Sequence, residues 1–368
     1  MSILHVMHND KFISSYIEFI NQNFNMNEHY FFIFGGILKK EMPIPNYLNI
    51  KYIEKPKIKN IFLKILITVP LLYYNLLKKM IKSEKIYFHS LFDERIILFL
   101  FIFRKFLKKS NWIIWGGDLY CYEKRRKDLK YFLWYKIEDY VKSNVAYVNT
   151  LVPQDYEVAK KYYKIKGKYK RALYTSKNNF DFIDKLKPDI KKEIYVQIGN
   201  SADPSNKHFE ILDTLKKFKK EKIKIFSILS YGGDQKYINK VIEYGNNIFG
   251  TKFIPIVDFL SRDKYWQYLI NIDILIFNHK RQQGLGNIAM LSYFEKKIYL
   301  RDDISSWDYL TKDIKLKLNS YKKIKNETFE KFTKNNSIGN KEVILKTLWS
   351  NEYRKKIWEE NFKDNRNE

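Results

Sequence analysis

The sequence predicts an α/β protein of two doubly wound domains, each a parallel sheet with helices on both faces. Three observations carry that prediction. At 368 residues, 45% hydrophobic and 17% aromatic, the chain has apolar material for two cores. Short β-rich runs alternate with longer helical ones through both halves. The polar stretch "TSKNNFDFIDKLKPDIKKE", at 175–193, interrupts that alternation and has the composition of a linker.

In chain order, the first half reads as strands "ILHVM", "YFFIFG", "NIKYI", "KIYFH", "NWIIWG" and "NVAYV", with helical segments over 12–23, 60–80, 92–109 and 124–142. After the polar stretch come strands "IYVQIG", "KIFSIL", "KFIPI" and "DILIFN", with helices over 207–220, 235–249, 262–270 and 286–295. The expected boundaries are a first domain over 1–180, a linker over 181–193, a second domain over 194–345 and a helical tail over 346–368. The charged tail is expected to close the second domain or to pack back on the first.

A net charge of +27, from 68 Lys plus Arg against 41 Asp plus Glu, raises the question of an anionic partner. Lysine is spread along nearly the whole chain, and no zinc-finger, KH or RRM-like signature accompanies it, so no nucleic-acid partner is expected. Acidic lipid headgroups need only positive charge beside exposed apolar surface. The longest apolar stretch, "ILITVPLLYYNLL" at 65–77, is well short of the roughly 20 residues of a span. It and "IILFLFIFRKFL" at 96–107 suit core helices or a surface resting on a bilayer. Cys121 is the only cysteine, which excludes a disulfide framework and a CxxC metal site. The start "MSILHVMHND" does not read as a signal peptide, so a soluble or peripheral protein in a reducing compartment is expected.

Open parallel sheets bind ligands beyond the carboxyl ends of their strands, so the loops after strands hold the candidates. After "IYVQI" comes "GNSADPSNKHFE", in which Gly199, Asn200, Ser201, Asp203, Ser205 and Asn206 lead into a helix. Small residues let backbone N–H groups approach an anion, and a helix N-terminus adds about half a positive charge. Plain capping by Ser205 or Asn206 is the alternative, and it explains two of the six polar or small residues. After "KIFSIL" comes "SYGGDQ", with Tyr231, Gly232 and Gly233 in a turn and Asp234 placed to cap the next helix. After "DILIFN" comes "HKRQQGLGN", where Arg281, Gln282 and Gln283 precede Gly284, Gly286 and Asn287.

In the first half, "WGGDLY" at 115–120 sets Trp115 and Tyr120 around a turn bearing Asp118. Aromatic rings beside a carboxylate suit a sugar, and helix capping by Asp118 is the competing reading. Asp10 and His89 also stand at strand ends, although a single histidine is more often structural than a base. No Asp-x-Asp pair and no His/Asp/Glu cluster offers a metal site, so no metal cofactor is expected. A departing diphosphate would then rely on the helix openings at 205–207 and 284–287, with Arg281 as counter-charge.

Taken together, "WGGDLY", "IGNSADPSNKHFEIL" and "RQQGLGN", in this order and at these separations, resemble glycosyltransferase family 56. Its members are the TDP-N-acetylfucosamine:lipid II transferases that add 4-acetamido-4,6-dideoxygalactose during enterobacterial common antigen assembly. The resemblance runs from "HVMHND" to about Trp307. It implies a GT-B fold of two facing Rossmann-like domains, with the acceptor mainly on the first and the nucleotide-sugar on the second. It further implies metal-independent work on a TDP-sugar and a polyprenyl-diphosphate-linked saccharide, peripheral to the cytoplasmic face of the inner membrane. The family's strand-end motif falls on Trp115, Gly116, Asp118, Leu119 and Tyr120. Its phosphate loop falls on Gly199, Asn200, Ser201, Asp203, Ser205 and Asn206, with His208 inside the helix, and its amide motif on Arg281 to Gly284 and Gly286.

Asp118 and Arg281 are the catalytic candidates on this reading, as acceptor-positioning group or general base and as leaving-group stabiliser. Asp10, His89, Trp115, Gly116 and Tyr120 stand on the acceptor side. The family helix after the amide motif ends in Gly-x-Pro, where Glu295, Lys296 and Lys297 stand here. Many GT-B enzymes place two glutamates at the positions of Arg281 and Ala289, one of them gripping both ribose hydroxyls. Ala289 is thus compatible with a deoxyribonucleotide donor. A transferase of another nucleotide-sugar in O-antigen or capsule synthesis, and a non-catalytic membrane-associated scaffold, are the competing functions.

Overall fold

The computed structural model describes residues 1–10, 12–35, 44–53, 69–126, 128–174 and 180–363. They fall into two compact units, one of Met1–Lys177 with Arg354–Glu368, the other of Asn178–Tyr353. The expected helix from residue 60 is described from Val69 onward, and the first part of the polar stretch, 175–179, lies outside the described residues.

The first unit contains a seven-stranded sheet in the order β3-β2-β1-β4-β5-β6-β7 among the described residues. The strands are β1 Ile3–His8, β2 His29–Phe34, β3 Ile50–Ile53, β4 Lys85–His89, β5 Ser110–Ile113, β6 Tyr147–Thr150 and β7 Lys168–Arg171. Every pairing is parallel, as expected where helices return the chain between strands. The order reverses at the β1/β4 pair, where Ile3 lies opposite Lys85 and Met7 opposite His89. Central strands covered on both faces are mostly apolar, and Leu4, Ile86 and Trp112 have no exposure. One face packs on helices Val69–Lys82, Glu94–Ile102 and Leu129–Ser143, through Leu76, Met80, Ile97, Leu100 and Val141. The opposite face is covered by helix Ile13–Asn23 and by Trp358 and Phe362 of the C-terminal helix Asn351–Phe362.

The second unit has a sheet in the order β10-β9-β8-β11-β12-β13. Its strands are β8 Ile194–Ile198, β9 Ile223–Ile228, β10 Phe253–Ile256, β11 Ile274–Phe277, β12 Lys297–Leu300 and the two-residue β13 Asn319–Ser320. All these pairings are parallel too. The order reverses between β8 and β11, which lie side by side with Ile276 opposite Ile198. A doubly wound sheet opens its ligand crevice at such a reversal. The polar segment ahead of β8 is tied to this unit. Ile183 is buried, Asn271 donates to the Asp189 carboxylate at 2.8 Å, and Tyr293 donates to Asp184 at 2.5 Å.

Candidate active site

In the second unit the loops after β8 and β11 start from adjoining strand ends, joined where the Gly199 N–H donates to the Ile276 carbonyl at 3.2 Å. Gly199 has φ +63°, and a Cβ there would stand 2.6 Å from His208 Nε2. Only glycine makes this turn. Asn206, 1% exposed, braces the loop from within. Its Nδ2 donates to the Ser201 and Asp203 carbonyls and to Ser201 Oγ, and its Oδ1 accepts the Asn200 N–H, all at 3.1 Å. Asn206, expected on the donor side, spends its amide within the loop and shapes it.

Asp203 caps the short turn Pro204–Asn206 by accepting the Ser205 N–H at 2.9 Å, and its other oxygen accepts from Arg281 Nη2 at 3.2 Å. That ion pair links the two loops. The loop after β9 closes over them, because the Ala202 N–H donates to the Tyr231 carbonyl at 2.7 Å and Gly232 turns with φ +85°. Tyr231 leaves half its surface exposed beside Asn200. Asp234 accepts the Tyr237 N–H at 2.7 Å, the plain helix cap its position suggests.

Several polar atoms on these loops are left over. Asn200 Oδ1, Ser205 Oγ, His208 Nε2, Arg281 Nε and Gln283 Nε2 are buried without a partner. Buried polar groups are otherwise paired in folded proteins, so a concentration of orphans at one sheet edge marks a place where something else supplies the bonds. Ser205 is not the helix cap that the alternative reading required. His208 sits fully buried with Nδ1 3.0 Å from the Tyr237 hydroxyl. The Tyr237 hydroxyl also takes the His208 backbone N–H, and the tautomer with its proton on Nε2 would turn a donor toward the loop. Burial lowers the imidazole to about 4 although Asp203 pulls the other way, and the ring is neutral.

Gly284 caps helix Leu285–Tyr293 with φ +69° and no side-chain acceptor, and a Cβ there would meet the Phe277 ring at 2.7 Å. A Cβ at Gly286 would meet nothing within 4 Å. The start of this helix is therefore open to a ligand that needs N–H donors and a positive dipole end. Gln282 and Gln283 lie partly buried beside it, and the side chains of Asn287 and Gln197 lie near the Tyr265 hydroxyl, whose proton is held more tightly than usual by burial.

In the first unit the residues after β5 form a tight turn. Gly116 has φ +88° and precedes the short helix Gly117–Tyr120. Asp118 is 0% exposed, and its carboxylate accepts the Leu91 N–H at 3.0 Å, the Trp112 indole N–H at 2.7 Å and the Trp115 N–H at 2.9 Å. A carboxylate closed off from solvent and engaged three times holds the strand ends of β4 and β5 together. Asp118, expected as acceptor-positioning group or general base, is here a buried tie between strand ends.

Tyr120, expected on the acceptor side, is buried with its hydroxyl on Asp155 at 2.8 Å. His89 is likewise inside, pushed down to about 3 by burial. It belongs to a chain of bonds running through the sheet face. Trp115 Nε1, a donor only, bonds the Tyr174 hydroxyl at 3.0 Å, which bonds His89 Nδ1. His89 Nε2 then meets His5 Nδ1 at 3.1 Å, and His5 Nε2 meets His29 Nδ1 at 2.9 Å. Trp115 can only donate, so the Tyr174 hydroxyl accepts from it, and each histidine–histidine link pairs one protonated nitrogen with one bare nitrogen. Asp10 and Trp115 remain partly exposed at the carboxyl ends of β1 and β5. A cavity of about 390 Å³ opens beside them, lined by Asn9, Ile44, Asn46, Tyr47 and Tyr52 among others.

A family model described as 4-alpha-L-fucosyltransferase, glycosyl transferase group 56, matches residues 71–362, most of the chain. The chain belongs to glycosyltransferase family 56. Solved structures agree on the fold. A glycosyltransferase from Rickettsia africae ESF-5 superposes with a TM-score of 0.64 at 13% identity, covering 98% of this chain and 97% of that one. Sucrose-phosphate synthase from Thermosynechococcus elongatus gives a TM-score of 0.65 at 8% identity, with 98% of each chain covered. A structure described as trehalose-6-phosphate from E. coli bound with UDP-2-fluoro glucose gives 0.61 at 10% identity, with 98% of each chain covered. The fold is GT-B, and the protein is a glycosyltransferase.

Within this family 56 chain the missing Gly-x-Pro leaves the turn intact. Glu295 adopts φ +54° where the family carries glycine, and its carboxylate accepts the Gly339 N–H at 2.6 Å. Ala289 is 4% exposed, so no side chain projects from that position toward a ligand. Sequence reasoning missed Tyr265, since a tyrosine inside "RDKYWQYLI" reads as ordinary helix packing. It also missed the pairing of Asn278 with Glu210 at 3.0 Å and the approach of Arg301 to Asn278 at 3.4 Å, which ring the same strand ends. Asn278 at the end of "DILIFN" was the available signal. Among the described residues no group of His, Cys, Asp and Glu could hold a metal ion.

Proposed function

We propose that the protein transfers a 4-amino-4,6-dideoxyhexose, of the 4-acetamido-4,6-dideoxygalactose kind, from a TDP-sugar to a lipid-linked saccharide in bacterial surface polysaccharide synthesis. The reaction proceeds without metal, at the cytoplasmic face of the inner membrane. The observation that carries the reading is the group of orphaned polar atoms on the loops after β8 and β11, together with an uncapped helix start at Gly284.

Those groups suit a diphosphate. The His208 Nε2–H, the Ser205 hydroxyl, the Arg281 guanidinium and the N–H groups at 285–286 donate to it, and Arg281 neutralises charge as the sugar–phosphate bond breaks. Gln282 and Gln283 bind sugar hydroxyls or phosphate, and Tyr231 and Tyr265 offer rings to the base or sugar. A ribose clamp is missing at Ala289, which favours deoxythymidine over uridine as the nucleoside. With Asp118 committed to the fold, Asp10 takes the acceptor-positioning role beside Trp115.

The test is a panel of TDP- and UDP-sugars incubated with purified protein, membrane lipid extract and EDTA, with products read by mass spectrometry. Transfer from the TDP-4-amino-4,6-dideoxyhexose in EDTA is the expected result. Transfer only from UDP-sugars, or only with added metal, overturns the donor assignment. Arg281→Ala is expected to weaken donor binding about tenfold to a hundredfold in calorimetry, the loss of one charged contact of about 1.5–3 kcal/mol.

A further inference from the structure

We infer that the outward face of three helices in the first unit, Val69–Lys82, Glu94–Ile102 and Leu129–Ser143, is the surface by which the protein rests on an anionic lipid bilayer. The inference deepens the proposed function and rests on its placing of the enzyme at a membrane.

The three helices cover the same face of the β1–β7 sheet, with Glu94–Ile102 in the middle. Tyr73 stacks on Phe99 at 5.2 Å on one side, and Phe101 meets Tyr140 edge-on at 5.5 Å on the other. Each helix buries an apolar stripe in the core and then presents a second one to solvent. Tyr74 and Ile81 are 56% and 58% exposed on the first helix, and Leu98 and Ile102 are 44% and 63% exposed on the second. On the third, Phe132 and Leu133 are 53% and 71% exposed. Tyr74 and Ile81, seven apart, and Leu98 and Ile102, four apart, share one face of their helices, and Phe132 and Leu133 are neighbours on the third. In the second unit Val257, Phe259 and Ile338 lie in loops, and Leu345 stands alone on helix Asn340–Lys346 among the described residues.

Cations alternate with these strips. Lys78 lies over the Tyr74 ring at 5.4 Å, Lys136 over Phe132 at 5.2 Å, and Arg104 over Phe101 and Tyr140 at 4.4 and 4.9 Å. Long basic side chains lying along aromatic surface with their charged ends outward are arranged to reach phosphate groups while the rings enter the acyl boundary. Carboxylates that would repel such a surface are few. Val69–Lys82 has none, Glu138 and Asp139 of the third helix are paired with Arg125, and Glu94 alone is exposed at the start of the second. No described helix is long and apolar enough to cross a membrane, so the contact is interfacial. A protein partner would meet these scattered cations with carboxylates in fixed places, whereas a bilayer meets them anywhere on its plane.

The experiment is sedimentation of the full-length protein with vesicles of phosphatidylcholine, with and without phosphatidylglycerol. The variants are Ile102→Glu with Leu133→Glu, Lys78→Glu with Lys136→Glu, and Phe259→Glu as a control in the second unit. Urea midpoints verify that each folds. Expected are wild-type binding that needs the anionic lipid and weakens with salt, a loss of at least tenfold in both double variants, and no change in Phe259→Glu. Transfer to a water-soluble acceptor analogue stays unchanged in all variants. Wild-type binding that the double variants leave intact overturns the assignment of this surface while the membrane reading stands. Absence of wild-type binding to anionic vesicles overturns both. Binding equally strong on neutral lipid overturns the electrostatic part of the inference.

Discussion

Replacing Asp118 by asparagine separates a scaffold from a base. The carboxylate accepts from Leu91 N and Trp112 Nε1 on one oxygen and from Trp115 N on the other. An asparagine keeps its oxygen toward the first two donors and must turn its NH₂ toward the Trp115 N–H, donor against donor. One charge-assisted bond, about 1.5–3 kcal/mol, is lost, and the remaining two fall to the strength of neutral bonds. The total is about 4 kcal/mol. With a urea slope of about 2 kcal/mol per molar for a unit of this size, the midpoint falls by about 2 M. Tryptophan emission follows the transition, since Trp112 is fully buried and directly bonded to the altered group. Turnover per folded molecule stays within about threefold of wild type. An unshifted midpoint with turnover reduced about a hundredfold or more, the scale of general-base loss, would refute the scaffold role.

Other substitutions and conditions have equally definite outcomes. Gly199→Ala places a Cβ 2.6 Å from His208 Nε2 at φ +63°, and is expected to destabilise by about 2–4 kcal/mol in thermal melts and to weaken donor binding in calorimetry. Asp203→Ala frees the Arg281 guanidinium and uncaps the Pro204–Asn206 turn, so donor affinity falls several-fold although a negative charge has been removed beside an anion site. Acid should weaken the fold early. His29 and His208 titrate at about 4 and His89 at about 3 in the folded protein, each lowered by burial, against about 6.5 unfolded. The unfolded chain therefore binds more protons below pH 6.5. Stability is full above that value and is lost as pH falls toward 4, by up to about 1.4 kcal/mol per pH unit for each histidine. A urea midpoint unchanged between pH 7 and pH 5 would contradict it.

The strand ends were legible because strands buried on both faces declare themselves as apolar runs, and each such run ended where its loop turned chemical. "IYVQIG" and "DILIFN" became β8 and β11, and their loops meet. The strand "KYKR" was not legible, since β7 lies at the sheet edge with one residue largely exposed and the rest half-buried. Helix Pro153–Tyr163 hides its apolar side behind lysines, and β13 has two residues. Which loop residues face a ligand was less visible than which loops do. Asn206 and Ser205 look alike in sequence, and only the geometry shows one amide spent four times over and the neighbouring hydroxyl not at all. The histidine series joins positions 24 and 84 residues apart, a separation that no local pattern encodes. Five of the six histidines are buried, so the structural expectation for His89 is the rule for this chain.

Helix Asn351–Phe362 completes the first unit after the chain has already spelled out the second. Asn361 gives its amide to the Arg171 carbonyl at 2.6 Å and accepts the Tyr87 hydroxyl at 2.7 Å on its own carbonyl, while the Trp358 indole reaches the Leu173 carbonyl at 3.0 Å. On the ribosome, then, the half that is made first finishes last. Until residues 351–362 are made, the sheet face bearing His5 and Tyr87, with Tyr16 of helix Ile13–Asn23 beside it, waits without its cover, whereas the continuous second unit can mature on the way. A chain lacking residues 351–362 would leave the second unit able to fold and the first with an open seam, so this one helix decides whether the first sheet is closed.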